Sequence, residues 1–357
     1  MKKSLIALAV LAASGAAMAQ SSVTLYGVAD AGVTYLNGND NWSGVTSGNN
    51  LTSRLGFRGV EDLGGGLKAN FVIEGGFNLD NGDGASGYAG AKAGEGFQFK
   101  RRSTVGLSGG FGEVRMGREL TAAFNATARY DVFGSVGIGQ SRLWADGGVV
   151  DASANATAVT TNQRISNALT YVSPDFSGFK VGVNYGFGET TNGNSDSSYM
   201  GAGLMYDNGP LSLGLGLERL NNGANSVAVS DIDAWSLGGS YDFGVAKLLA
   251  GYRESKVDRA TGENKRLGYY VAATAPVGAG TVRVSYNRYE NELANVKGKA
   301  DQFAIGYVYG LSKRTSVYGT YAYIKNKDGA NLYTLGSGGL KTNGSQQGVQ
   351  VGVSHAF

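Results

Sequence analysis

The chain has 357 residues, among them 59 Gly, 20 Tyr, 3 Pro and 1 His, and it contains no Cys. The lack of Cys excludes disulfides, thiolate nucleophiles and Cys-based metal centres, and a single His excludes a His-cluster metal site. Charged residues make up only 17%, below the roughly 25% of globular domains, and a net charge of +3 gives no electrostatic footprint for nucleic acid. We therefore expect no nucleic-acid partner, no metal and no cofactor.

The N-terminal segment has the pattern of a secretory signal peptide. A basic start at Lys2 and Lys3 precedes an apolar run from Leu5 to Leu11. Ala17-Met18-Ala19 then supplies the small-x-small pattern of a cleavage site. We assign residues 1–19 to the signal peptide and residues 20–357 to one exported domain, whose net charge falls to +1 when the two lysines are removed.

Beyond Ala19 no apolar run is long enough for a transmembrane helix, and apolar residues recur instead with period two. From Leu211 to Glu218, four leucines alternate with Ser, Gly and Glu. Because side chains of a strand project alternately to opposite faces, such a segment has one apolar and one polar face. Sixteen strands are predicted, with starts near residues 22, 51, 67, 98, 113, 164, 179, 198, 211, 231, 245, 265, 280, 300, 314 and 347.

The connections between these strands alternate between short and long. Short ones, such as Asp207-Asn208-Gly209-Pro210, contain the Gly, Asn and Asp of tight hairpins that need positive φ. The predicted long connections are polar and lack periodicity: Asn37–Asn50, Leu79–Gln98, Glu119–Gln163, Asn221–Ser230, Val257–Glu263, Asn291–Lys299 and Lys327–Gln346.

These patterns predict an all-β fold, a 16-stranded antiparallel transmembrane β-barrel in the outer membrane of a Gram-negative cell. Such barrels have short periplasmic turns and long outer loops, and closure pairs every backbone group within lipid. A soluble β-sandwich or lectin-like domain shares the period of two but does not explain the alternating connections. Outer-membrane lipid and lipopolysaccharide are then expected partners.

Recognisable motifs occur along the whole chain, at Ser22–Asp30, Ser53–Leu67, Glu113–Arg118, Tyr171–Pro174 and Gly352–Phe357. Together they resemble the Gram-negative general diffusion porins, above all those of β-proteobacteria. His355 departs from the pattern, since the family commonly has an aromatic residue there. The resemblance implies a homotrimeric channel whose third loop folds into the lumen, for passive diffusion of small hydrophilic solutes and inorganic ions.

Alternation also predicts which charged side chains face the pore. Charged residues that alternate with lipid-facing apolar residues should point inward: Arg54, Arg58, Lys68, Glu74 and Arg115. By resemblance, Arg101 points inward, and Arg54, Arg101 and Arg164 correspond to the family's arginine ladder opposite the constriction loop. Guanidinium groups keep their charge at any relevant pH, so they would form a permanent positive wall. For any one of these arginines, an ordinary solvated lumen residue is the alternative.

The connection 119–163 is too long for a simple hairpin loop, and by resemblance it is the constriction loop. Its stretch Tyr130–Ser135 replaces the family's Pro-Glu-Phe-Gly-Gly-Asp, with Val132 where cation-selective members have a carboxylate. Asp131 remains as a nearby acid and Arg129 offsets it. We therefore expect a constriction that favours anions.

By the same resemblance Arg102 points outward, and Arg118 is also predicted to point outward near the second loop. An arginine that faces lipid at mid-depth costs about 2–4 kcal/mol, which pairing across a subunit boundary would relieve. We therefore expect both at a trimer contact.

An enzyme is not expected. Gly106–Gly110 matches the Gly-x-Ser-x-Gly pattern, but a nucleophile elbow needs a strand–helix turn and a partnered His. His355 is predicted on the outer face of the last strand. A substrate-specific outer-membrane channel remains the main alternative, and a barrel-embedded hydrolase is a more distant one.

Overall fold

The computed structural model describes residues 22–84, 96–145, 163–188, 198–221, 231–259, 262–293, 296–331, 333–337 and 340–357. The expected signal peptide lies outside these residues. The strands are β1 (Ser22–Asn37), β2 (Asn41–Ser47), β3 (Arg54–Gly64), β4 (Leu67–Gly76), β5 (Arg102–Gly109), β6 (Gly112–Leu120), β7 (Arg164–Val172), β8 (Phe179–Gly186), β9 (Ser198–Asn208), β10 (Leu211–Asn221), β11 (Asp231–Asp242), β12 (Lys247–Arg259), β13 (Gly262–Val277), β14 (Gly280–Leu293), β15 (Val296–Gly310), β16 (Thr315–Lys327) and β17 (Ser345–Ala356). Between β6 and β7 lie helix α1 (Ala122–Thr127), a 3₁₀ turn (Ala128–Tyr130) and helix α2 (Arg142–Ala145).

The strands form a closed antiparallel barrel with sixteen wall positions. One edge of β1 pairs with β3 through Ser22–Val28 and with β2 through Ala31–Asn37, so β2 and β3 are two halves of one wall strand. The other edge pairs with β17 through Val28–Asn37, which closes the sheet. The predicted sixteen-stranded barrel is therefore confirmed.

Three predicted long connections were wrong in extent. Half of Asn37–Asn50 forms β2, and β12–β13 and β14–β15 continue almost to their hairpin tips. Polar side chains there form cross-strand ion pairs, as between Lys297 and Glu292 at 2.7 Å, because the backbone ladder extends past the apolar band. The short turns agree with prediction, and Gly209, for example, has a φ of +55°.

The two faces of the wall differ in character. Outward side chains are apolar and exposed, as in Met200 (62%) and Val351 (57%). On the opposite face, polar side chains such as Ser236, Asn287 and Gln302 are buried. A water-soluble sheet would bury its apolar face, so this inverted arrangement suits a wall with lipid outside and a polar lumen inside. In the described part of the chain, no helix has the length and apolarity needed to cross a membrane.

Candidate functional site

The segment between β6 and β7 packs against the inner face of the wall. Thr121 caps helix α1, because its hydroxyl oxygen accepts a hydrogen bond from the Phe124 N–H at 3.2 Å. The helix lies against Gly203 of β9 and Gly214 of β10. A Cβ at either glycine would overlap a backbone carbonyl of α1. Missing side chains on the wall thus allow the helix to approach it closely.

After α1 the segment follows the wall from β10 to β17. Tyr130 is buried beside Gly238 and its hydroxyl lies 2.9 Å from the Ser212 hydroxyl. Farther along, the Ile138 N–H donates to the Gln350 side chain at 3.4 Å. The described part of the segment therefore covers the inner face from β8 to β17 and leaves the β3–β7 side open.

Asp131 stabilises the conformation of this segment through hydrogen bonds to its backbone. Its carboxylate accepts backbone N–H bonds from Phe133 (2.9 Å), Ser135 (3.0 Å) and Ser141 (2.9 Å). Burial raises the pKa of Asp131 to about 6, although the three N–H donors favour the ionised form. The prediction of Asp131 as a constriction residue assumed a carboxylate that faces the lumen. The side chain is only 6% exposed and does not present its carboxylate there.

Arg129 lies apart from Asp131 as well. Its guanidinium binds Asp207 beside the β9–β10 turn, with the shorter contact at 2.6 Å. Both side chains are more than one third exposed, at 37% and 46%, so the pair is a solvated ion pair of small energetic weight. The structure therefore does not place Arg129 opposite the other predicted arginines.

Arg54, Arg101 and Arg164 come together on the open side of the lumen. The Arg101 Nε lies 2.7 Å from Glu74 Oε1, and the Arg54 Nε lies 3.7 Å from Glu74 Oε2. The Arg164 Nε donates to the Arg101 carbonyl oxygen at 2.9 Å. Tyr26 donates its hydroxyl to the same Glu74 carboxylate at 3.1 Å. The Glu74 carboxylate thus holds two of the three guanidinium groups, and the Arg101 carbonyl holds the third.

This arginine cluster faces the inner segment across a cavity of about 500 Å³. The arginines lie on one side, and Gly134–Gly137 and Gln140 lie on the other. The strand break between β2 and β3 contributes residues 47–52 to the same lining. The described residues of the inner segment that line this cavity carry no charge, so the wall arginines dominate the electrostatics of the described lining.

Arg102 points inward, so the expected outward orientation was wrong. It pairs in register with Glu74, and its Nε donates to the hydroxyl of buried Thr104 at 3.1 Å. Arg101 and Arg102 both point inward because Arg101 lies before β5 and does not follow its alternation. The Arg101 N–H donates to the Glu74 carbonyl, and the Arg101 side chain binds the Glu74 carboxylate. Two consecutive arginines therefore reach the lumen, and Arg102 lines a second cavity of about 490 Å³ beside the first.

Arg118 does point outward, opposite Ser103. Its Nε donates to the Lys100 carbonyl at 2.6 Å and its Nη1 to the Ser166 hydroxyl at 2.9 Å. These bonds satisfy part of the hydrogen-bonding capacity of the Arg118 guanidinium group within the chain.

Arg58 and Arg115 both lie on the inner face but differ in available charge. Arg58 is exposed, 5.3 Å from the centre of the Tyr26 ring. Arg115 is 9% exposed and binds Glu113 at 2.8 Å and Glu119 at 2.7 Å. The two glutamates, which sequence reasoning missed, neutralise Arg115.

Arg283 of β14 is another functional residue that sequence reasoning missed, although its alternation with Val282 and Val284 already places it inward. Its Nη1 donates to the Val132 carbonyl at 3.1 Å and its Nη2 to the Asn50 side chain at 2.9 Å. It therefore links the inner segment to the break between β2 and β3.

The break itself is held by Asp30, which is fully buried. Its carboxylate accepts hydrogen bonds from the Asn49 N–H (2.7 Å), the Leu51 N–H (3.0 Å) and the Tyr318 hydroxyl (2.8 Å). The interruption of this wall strand is thus a stabilised feature that brings Asn50 to Arg283.

The Gly-x-Ser-x-Gly match does not build a nucleophile. Ser108 lies on the inner face opposite Glu113, whereas His355 lies on the outer face, 2.9 Å from the Thr315 hydroxyl. The two side chains required for a hydrolytic dyad are therefore on opposite sides of the wall.

Comparisons with known proteins agree with this geometry. The family model for Gram-negative porins matches residues 5–329. The chain is 45% identical to outer membrane porin protein 32 of Delftia acidovorans, with both chains fully covered. It is 33% identical to an outer membrane porin protein of Bordetella pertussis, over 91% of this chain and 95% of that one.

Solved structures show the same relationship. The anion-selective porin from Comamonas acidovorans matches with a TM-score of 0.82 and 41% identity, covering 95% of this chain and all of that one. The trimer form of OmpT from Vibrio cholerae, at a TM-score of 0.67 and 16% identity, shares the fold. With a closed sixteen-stranded wall, a polar lumen and similarity along its whole length, this chain belongs to the Gram-negative porin family and forms a passive channel in the outer membrane, not an enzyme.

Proposed function

We propose that this porin favours anions and that the arginine cluster beside Glu74 determines that preference. The observation that carries the proposal is the charge around the lumen at this level. Among the described residues that line the cavity of about 490 Å³ are five arginines and two glutamates, a surplus of three positive charges. Small inorganic anions and hydrophilic organic anions are then the favoured solutes among those that diffuse through.

The inner segment supports this role because its described part places no acidic side chain opposite the arginine cluster. Its described residues that face the arginine cluster are neutral, and Asp131 is turned into the segment. An ion that passes between the two sides therefore meets a net positive wall. A unit charge at about 4 Å is worth about 1 kcal/mol in water, so a surplus of two or three changes permeability severalfold.

The test is the reversal potential of reconstituted channels under a tenfold KCl gradient. The wild type should show a potential of the sign set by chloride, and the combined variant Arg54→Ala, Arg101→Ala should move it toward zero. Arg129→Ala is the matched control, because its exposed ion pair with Asp207 lies outside both cavities. Cation preference in the wild type, or no shift in the double variant, refutes the proposal.

We also infer that the porin assembles as a homotrimer. Arg118 lies on the outward face, where exposure to lipid would cost about 2–4 kcal/mol and a subunit boundary would avoid that cost. OmpT of Vibrio cholerae, which shares the fold, is described in a trimer form. A native mass of three chains in detergent is expected, and a mass of one chain only would contradict the inference.

We also propose that the chain is exported with cleavage of its signal peptide and that it contacts the lipids of the outer membrane. Cleavage after Ala19 should leave a mature chain that begins at Gln20, which the mass of the purified protein can test. Outer-membrane lipid and lipopolysaccharide would contact the exposed apolar side chains of the outer face.

A further inference from the structure

Arg102 lies on the inner face of the wall between two acidic residues of the neighbouring strands. Glu74 of β4 is directly opposite in register. On β6, Arg118 pairs with Ser103, so the next position, Glu119, continues that register toward Arg102. Residues that face each other on paired strands are the usual partners of a cross-strand ion pair. Either glutamate could therefore neutralise Arg102.

Both carboxylates are occupied by other side chains. Glu74 accepts from the Arg101 Nε at 2.7 Å and from the Tyr26 hydroxyl at 3.1 Å. The two oxygens of Glu119 lie 2.7 and 2.8 Å from the Nε of Arg115. The two acids next to Arg102 in the sheet are thus held by the arginines before and after it on the wall.

The guanidinium group of Arg102 is left with an uncompensated charge. Its Nε donates to the Thr104 hydroxyl at 3.1 Å, and among the described residues no carboxylate lies within ion-pair distance of it. Arg54 and Arg101 share the single carboxylate of Glu74, so one of their two charges is also uncompensated. Together these residues leave two positive charges at the edge of the same cavity.

This cavity, of about 490 Å³, also contains neutral groups that can bind an anion. Thr170 lines it, and the buried Thr170 hydroxyl has no hydrogen-bond partner among the described residues. Asn125 adds a side-chain amide from α1. The cavity reaches Val172, the last residue of β7, and so extends from the arginine cluster toward the short turns. Its volume is that of a site for a small organic molecule.

We propose that Arg102 anchors an oxyanion-binding site in this cavity, where the phosphate or carboxylate group of a solute is held during its passage. Guanidinium groups bind both oxyanions through paired, charge-assisted hydrogen bonds. The two Nη groups of Arg102 are available for such a pair, because its described hydrogen bond uses Nε alone. The proposal rests on the proposed anion preference and adds a binding step, which a surplus of charge alone does not produce.

The experiment measures single-channel current in symmetric KCl at constant ionic strength while inorganic phosphate or acetate is added. In the wild type, the current should fall and the block should saturate. Arg102→Gln should raise the half-blocking concentration about tenfold, because it removes a pair of charge-assisted hydrogen bonds. Arg102→Lys keeps the charge without the planar fork of donors, so its half-blocking concentration should lie between those of the wild type and Arg102→Gln.

Lys68→Gln is the matched control, because it removes the same charge from an exposed position of β4 outside both cavities. It should leave the half-blocking concentration unchanged. The reversal potential of Arg102→Gln should keep its anionic sign, since Arg54 and Arg101 remain, and this shows a folded channel.

The two probes also identify the solute. Stronger block by phosphate assigns the site to phosphate-bearing solutes, and stronger block by acetate assigns it to carboxylates. Equal half-blocking concentrations in the wild type and Arg102→Gln, or a block that does not saturate in the wild type, overturn the proposal. A cation preference of the wild type, with a phosphate block that Arg102→Gln weakens, would refute the anion preference and leave the binding site in place.

Discussion

Replacing Glu74 by Gln should make the channel more selective for anions. Glu74 is the carboxylate bound to Arg101 and near Arg54, and Gln retains an oxygen that can accept from Arg101 or Tyr26. The substitution therefore removes one negative charge from the cavity lining with little change in shape. The surplus of positive charge there rises from three to four.

The expected magnitude follows from the size of the cavity. A volume of about 490 Å³ is that of a sphere of about 5 Å radius, and a unit charge at about 5 Å contributes about 0.8 kcal/mol in water. That energy corresponds to about a fourfold change in local anion concentration. At 0.1 M salt the Debye length of about 10 Å reduces the change to roughly twofold, and at 1 M most of it should disappear.

The assay is the reversal potential under a KCl gradient, measured at low and at high mean salt. Asp175→Asn is the matched control, since it removes the same charge at an exposed short turn outside both cavities. We expect the control to change selectivity less. An unchanged reversal potential for Glu74→Gln at low salt, in channels whose Arg54→Ala, Arg101→Ala variant does shift, would show that permeating ions do not sense this carboxylate.

Two further predictions concern the inner segment. In Asp131→Asn, one oxygen must serve three backbone N–H donors, so a buried N–H loses its partner at a cost of about 1–3 kcal/mol. The open-channel current noise should therefore rise while the thermal unfolding temperature of the barrel stays the same. An unchanged noise level would contradict this role of Asp131. Gly214→Val should displace α1 and broaden the distribution of single-channel conductance, because the new side chain overlaps the Ala126 carbonyl. Gly239→Val on the outer face is the control, because the nearest atom to a Cβ there is the flexible end of Leu213 and the Ser212 carbonyl lies at an ordinary 3.4 Å. An equally narrow distribution in both variants would refute the seating of α1.

Much of the wall could be predicted from the sequence because lipid on one side and water on the other impose a period of two. The strand predicted to start at Leu211, for example, is β10, Leu211–Asn221. β2 was missed because Asn41–Ser47 lacks an apolar face. Contacts that are distant in sequence hold it instead, such as the Thr34 and Thr46 hydroxyls 2.7 Å apart.

The charged side chains of the lumen were harder to predict where the backbone leaves regular strand geometry. Alternation placed Arg54 and Glu74 correctly. The resemblance to the family placed Arg102 outward and was wrong there, because Arg101 lies outside β5 and both arginines point inward. Asp131 binds backbone groups up to ten residues away, and Arg283 binds Asn50 across 233 positions of the chain. Neither partner can be read from a local pattern, since both depend on how the inner segment lies across the barrel.

The position of the inner segment also explains how a chain of nearly neutral net charge can have a basic lumen. By covering the β8–β17 side, the described part of the segment leaves open the wall that carries Arg54, Arg101 and Arg164. Acidic and basic residues elsewhere pair with each other on the outer face and at the hairpin tips, as in Arg288–Asp301 and Lys256–Glu263. If an acid of the segment faced the arginine cluster, ions would cross a transverse field of opposed charges. Because the described facing residues here are neutral, none of them opposes the wall arginines, and this one-sided arrangement of charge is the physical basis of the proposed anion preference.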